Sequence, residues 1–319
     1  MNGATSWRRF ALLLVPSLVA VAGFGAAVAS GVLAASIQYQ AGNATLSTMG
    51  VYGIDGAVVV SEIERQTGPE RTIRLAVAQA LINEICLSEP ILGGAATLTV
   101  TAGDGDPRTW ETTGNSAVID ASQAKTSLAM DGAVLLGTDA TTVDTGPHDL
   151  GAKTGYIGIE AGFVDARGLL GTAAAVRLSG IVEVPHITFK IVPGGGASSG
   201  CQRMPEPTYG GQRVNPPAAG SISGVVRDAG GTPIPGVRVA LFNPEGELNA
   251  VLTDANGAYR IFAFVGKEVK VQFKHRRYAE RWNGGALIQH DAHPIAITST
   301  ATLTGVNASM PICPTPAPC

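Results

Sequence analysis

Between residues 36 and 203 the chain alternates apolar and polar side chains in short runs separated by glycine. ATLTVTAG from Ala96, AVRLSGIVEV from Ala175 and HITFKIVPGGG from His186 each repeat with period two, which predicts strands with one buried face. IRLAVAQALINEIC fits two templates. Ile73, Val77, Leu81 and Ile85 share a helix face, while Ile73, Leu75, Val77 and Leu81 share a strand face. Residues 73–85 stay open between helix and strand.

From residue 221 the pattern is clearer. SISGVVRD, VRVALFN, AVLTD, AYRIFAF, KEVKVQF, HPIAIT and TLTGVNASM are seven short strand candidates at the spacing of a small sandwich. Ala229-Gly230-Gly231-Thr232-Pro233 and Asp254-Ala255-Asn256-Gly257 supply turn residues that accept positive φ or cap a tight turn. The stretch from Met204 to Gly220 has four prolines and no apolar period, and reads as a linker. The resulting division is a signal or anchor at 1–35, a β-rich domain at 36–203, a linker at 204–220, a sandwich at 221–312 and a Pro-rich tail at 313–319.

At the other end, Arg8 and Arg9 precede an uncharged run from Phe10 to Ala35, and the next charge is Asp55. As a helix this run would reach ~39 Å, more than the ~30 Å hydrocarbon core. The expectation is export, either as a signal cleaved near Ala34 and Ala35 or as a retained anchor touching the membrane. Pro16 and glycines 23, 25 and 31 weaken a rigid spanning helix and favour cleavage.

Composition sharpens the class. Charged residues are 15% and aromatics 5% of the chain, with 41 glycines, a profile of β-rich, turn-dense structure. The net charge of -3 gives no global attraction to nucleic acid, and no nucleic-acid partner is expected. The four cysteines suit an oxidising compartment, and their placement in two segments predicts Cys86 with Cys201 and Cys313 with Cys319. The fold class is thus mainly β: an N-terminal signal or anchor helix, a β-rich domain, then a seven-stranded Ig-like sandwich.

Within the second segment, SISGVVRDAGGTPIPGVRVALFN, TDANGAYRI, RYAERWNGG and ATLTGVNASM resemble the carboxypeptidase regulatory-like, prealbumin-like sandwich family. That resemblance implies a noncatalytic spacer, adhesive or carbohydrate-binding unit on an exported protein. The first part, through SWRRFALLLVPSLVAVAGFG and the placement of Cys86 and Cys201, is similar to an actinobacterial, streptomycete-type exported family of unknown function, some of whose members carry an automatic cholesterol esterase label. It implies a location and an architecture, and no activity.

Candidate chemistry is sparse. GGGASSG contains G-x-S-x-G around Ser198, but Pro205 and Pro207 follow where the helix of a nucleophile elbow belongs. The later histidines, His275, His290 and His293, fall in the other segment. A lipid or ester hydrolase using Ser198 is the weaker alternative, and no catalytic residue, cofactor or metal is expected. His290-Asp291-Ala292-His293 lacks further ligands nearby, and Asp254-Ala255-Asn256-Gly257 lacks the later Glu of a calcium loop. Asn43 and Asn307 open glycosylation sequons. Lys274-His275-Arg276-Arg277 with Tyr278 and Trp282 combines charge and aromatic faces that could contact a wall polymer or a sugar ring. The expected role is structural, display or adhesion in the cell envelope, with carbohydrate binding through Tyr278 and Trp282 as the alternative. The partners are a cell-wall polysaccharide or an envelope membrane protein.

Overall fold

The computed structural model describes residues 37–65, 68–143, 150–195, 199–244 and 246–313. The first domain is built from four very long strands. β1 (Ile37–Arg65) and β2 (Gly68–Ile91) form an antiparallel hairpin, and β3 (Ala96–Ala102) folds back on the end of β2. β4 (Thr112–Asp139) pairs with β2 from Ile73 opposite Ala121 to Ile82 opposite Thr112. β5 (Ile157–Glu183) pairs with β4 on one side and β1 on the other. Within this set each of β1, β2, β4 and β5 pairs with two of the others, and the four close into a ring. β6 (Thr188–Pro193) extends the sheet beyond β3.

These strands run straight through glycines that the sequence pattern marks as turns. Gly50, Gly53 and Gly56 lie inside β1, and Gly158 and Gly171 lie inside β5. Two of them are points of close approach. A Cβ on Gly53 would meet Val77 Cγ1 at 2.3 Å, and one on Gly56 would meet Val164 Cγ2 at 2.2 Å. The ring narrows there because no side chain fits.

The open choice over residues 73–85 resolves to strand, since β2 spans all of them. From Ala76 to Asn83 every residue is buried. β2 has β1 and β4 on its two edges and cover on both faces, which erases the alternation that would have marked it.

The stretch expected as a linker is fastened down. It carries a small hairpin of β7 (Thr208–Tyr209) and β8 (Gln212–Arg213). Met204 N donates to Ser47 Oγ, Arg167 Nη1 donates to Val214 O, and Ser127 Oγ donates to Glu206 Oε1. These contacts hold residues 204–214 against β1, β4 and β5.

The second domain is a two-sheet sandwich. β9 (Ala219–Asp228) pairs with β12 (Ala258–Phe264) in one sheet, joined in parallel by β16 (Thr302–Leu303) and β17 (Ala308–Met310). The other sheet runs β11 (Gly246–Leu252), β10 (Arg238–Asn243), β13 (Glu268–His275), β14 (Tyr278–Trp282), with β15 (Ile295–Ala296) on β13. All seven expected segments contain strand, and β14 is an addition. Val226, Val239, Leu241, Ile261, Val271 and Phe273 are fully buried between the sheets. Alternation was legible here because each sheet keeps one wet face. The turn at Asp254 is as expected: its Oδ1 accepts from the backbone N–H of Asn256 and Ala258, and Gly257 takes φ 68°.

The two domains meet over a shared apolar cluster. Ile54, Leu81 and Trp110 of the first pack with Phe264 of the second, and Phe163 meets Phe262 edge-on at 4.9 Å. Polar bonds frame the cluster. Gln79 Nε2 donates to Phe262 O at 3.1 Å, Asn115 Nδ2 to Glu247 O at 3.1 Å, and the buried Asn249 Nδ2 to Asp55 Oδ2 at 2.5 Å.

Candidate functional site

Cys86 and Cys201 are bonded, with a Cα–Cα distance of 5.7 Å, and both are buried. Cys201 N–H also donates to Ser88 Oγ, tying the segment after the glycine-rich loop to β2. Cys313 is disulfide-bonded, while Cys319 lies outside the described residues. Ser198, Ala34, Ala35 and the apolar run from Phe10 to Ala35 lie outside them as well. Among the described residues no helix is long and apolar enough to cross a membrane, which leaves strands untested.

Tyr278 and Trp282 come to lie on β14, and they differ in exposure. Trp282 is 5% exposed: its ring packs on Phe242 at 5.2 Å and its Nε1 donates to Glu280 Oε1 at 3.1 Å. It is a core side chain with no face open to a sugar. Register puts it opposite Gln272 on β13, on the face of the sheet that Val271 and Phe273 turn away from, where Phe242 covers it. Tyr278 is half-buried against His275 at 5.2 Å. The basic residues around it, Lys274, Arg276 and Arg277, are exposed at the hairpin end. Burial, followed by the Arg276 and Arg277 charges, holds the His275 imidazole below its usual range. Trp282→Phe is expected to lower the sandwich's stability by about 1–2 kcal/mol through the lost Nε1 bond and the smaller ring. Chemical denaturation measures this, and a midpoint equal to wild type would contradict the placement.

His290 and His293 are exposed, and His290 Nδ1 faces Asp291 Oδ1 at 3.2 Å. Among the described residues the group with oxygens close enough for one cation is a different one, Glu84, Asp104 and Glu111. Glu84 stands where β2 takes a positive φ of 53°, and the other two flank the loop from β3 to β4. Gly105 N–H donates to Glu84 Oε1 at 2.6 Å, and Asp104 N–H donates to Glu111 Oε1 at 3.0 Å. Burial raises the Glu84 carboxyl above its usual range, with the Gly105 bond opposing and the Glu111 and Asp104 charges adding. The carboxylates clamp this loop through its own amides. Sequence reading missed the group because its members meet only when β2 and the loop fold together.

A cavity of about 230 Å3 lies between β1, β2, β3, β4 and β5. Its wall is aliphatic, with Thr48 and Thr126 the residues there that carry a hydroxyl. Alanines make part of it: Ala102, Ala117, Ala124 and Ala166 stand where strands ordinarily carry larger side chains. Left empty, that volume would cost on the order of 5 kcal/mol at ~24 cal/mol per Å3. At one rim Leu128 and Ile187 are 44% and 49% exposed. Beyond Ala121, β4 pairs with β5 alone among the described residues, which leaves its other edge along this rim. A polar hollow of about 430 Å3 lies against the outer side of the same wall, lined by Ser88, Lys125, Cys201 and Arg203 among others. Lys125 stands between Ala124 and Thr126 of the cavity, and by strand alternation faces the opposite way.

A ring of long strands with an apolar interior, docked on a prealbumin-type sandwich, defines a two-module β protein. Residues 38–202 match the model of a family of unknown function (DUF6230), and the chain belongs to that family. Residues 221–304 match the carboxypeptidase regulatory-like domain. No curated protein matches significantly. Solved structures that overlap it include the group B streptococcus pilus 2b backbone protein, at 9% identity over 88% of this chain and 92% of that one, TM-score 0.22. BcpA, the major pilin subunit of Bacillus cereus, overlaps at 10% identity over 84% and 100%, TM-score 0.23. The major pilin SpaD from Corynebacterium diphtheriae does so at 9% over 82% and 94%, TM-score 0.23. TM-scores at that level carry no inference.

Proposed function

We propose that the chain is a noncatalytic, exported protein of the cell envelope that displays two β modules as one rigid unit outside the membrane. The observation that carries this reading is the junction. Ile54, Leu81, Trp110 and Phe264 share one buried cluster across it, three side-chain amides bridge it, and the segment between the modules is bonded to the first. Tethered modules that move freely would need none of this. Two supports concern location: the uncharged run after Arg8 and Arg9, and the Cys86–Cys201 disulfide, which persists in oxidising compartments. The partners that go with this role are wall polysaccharide or an envelope membrane protein, met at the exposed basic hairpin end from Lys274 to Arg277.

Native trypsin tests the rigidity. Arg203 and Arg213 are the cleavage points in the intervening segment, and Arg203 Nε is bonded to Gly168 O. The expected result is that the two modules stay in one fragment long after denatured chain is digested. Rapid release of a sandwich-sized fragment would sink the reading.

A further inference from the structure

The cavity inside the ring asks for an occupant that the display role does not supply. We propose that the first domain binds a single acyl or alkyl chain, with the chain in the apolar channel and its polar end at the rim between β4 and the segment leading into β6. This goes beyond the display role and stands or falls separately from it.

The wall decides the chemical class. A nearly all-aliphatic lining offers no partner for a sugar, a nucleotide or a peptide backbone, each of which would bury unpaired polar groups. Water there finds no hydrogen-bond partner among the lining side chains beyond Thr48 and Thr126.

The shape decides between chain and ring. Lining positions run from Leu46 to Val58 along β1 and from Leu75 to Leu87 along β2. At ~3.3 Å per residue each stretch follows a path on the order of 40 Å, shortened by coiling. A volume of about 230 Å3 fills only part of such a path, as a short and narrow pocket. Gly53 and Gly56 pinch the ring by letting Val77 and Val164 come close, which gives the channel a closed side. An apolar cavity of about 150 Å3 takes a benzene, so this one takes roughly nine carbons.

The entrance follows from the pairing. Among the described residues, β4 past Ala121 and β6 each pair with one neighbour, which leaves the ring a seam between these two edges. Leu128 from β4 and Ile187 from the turn before β6 line the cavity and are also exposed. They are the rim that an incoming chain would cross, and opening the seam breaks no backbone pairing.

The test titrates the full-length protein with decanoic acid by calorimetry, beside Ala117→Leu and Ala166→Leu, which fill the channel from β4 and β5. Wild type is expected to show one saturable site, weakened roughly tenfold or more in each variant, since even one methylene's room in an apolar pocket shifts affinity on that scale. The N-terminal apolar run is common to all three proteins, so a difference between them reads the channel. Absence of saturable binding to wild type, or equal binding by folded variants, would overturn the proposal. A doxyl-labelled ten-carbon fatty acid gives a second reading without variants. It is expected to broaden the methyl resonances of Val77 and Leu169 in the channel and leave those of Val239 and Leu241 in the sandwich sharp. Broadening of neither pair, or of both alike, would equally overturn it.

Discussion

Replacing Cys86 and Cys201 together by alanine is expected to lower the first domain's stability by about 3–5 kcal/mol. The bond spans 115 residues, and a cross-link closing ~100 residues restricts the unfolded chain by roughly 4.7 kcal/mol in the loop-entropy account. It links β2, a strand with partners on both edges, to the segment that continues into the inter-domain hairpin. Without it Ser88 Oγ alone holds residue 201, through one backbone N–H. The sandwich core is a separate cluster built from β9 to β17, so its own unfolding should move little. Denaturant melts followed by probes in each domain would show the difference. A first-domain midpoint unchanged from wild type would mean that the sheet pairing alone sets its stability.

A loss of about 3–5 kcal/mol is also expected from Asp120→Ala, by a different route. Asp120 on β4 is 1% exposed and accepts from Arg74 Nε at 2.6 Å and Arg74 Nη2 at 3.0 Å, with Arg177 Nη2 at 3.6 Å. Arg74 is itself buried on β2, and its Nη1 donates to Leu150 O at 2.5 Å. Removing the carboxylate strands one guanidinium in the interior beside a second, and the uncompensated charge supplies the cost. The double variant Arg74→Met with Asp120→Leu is expected to recover most of the loss, because it removes both charges and keeps the volume. If the single and double variants melt alike, the pair matters for packing and not for charge.

The sandwich was legible in the sequence almost strand by strand, and the first domain was not. In the sandwich each strand has a wet face, so VRVALFN and KEVKVQF show their alternation openly. YAERW hides a strand behind polar letters, and its last residue, Trp282, is buried under Phe242 on the outer face of the sheet. In the first domain the ring interior covers one face of β2, while Ala140, Leu150 and Phe264 cover the other, and together they hide its period. The glycines of β1 read as stops, although Gly53 and Gly56 mark where strands press together. The cysteine pairing of Cys86 with Cys201 followed from their sharing one segment. The cavity had no signal at all: its alanines lie on strands far apart in sequence, and only ring closure makes them a wall.

The ring also sets a timetable. β1 has β2 as an immediate neighbour, but its other edge is satisfied only by β5, the last of the four to be synthesised. A chain that emerges N-terminus first therefore carries an open edge from residue 37 onward until Glu183 has followed. Contacts between such distant positions form slowly, and an unpaired strand meanwhile invites pairing with other chains. Cys86 waits longer still for Cys201. Until the fifth strand arrives the early ones remain open to their own copies, so the yield of folded protein should fall as the concentration of unfinished chains rises.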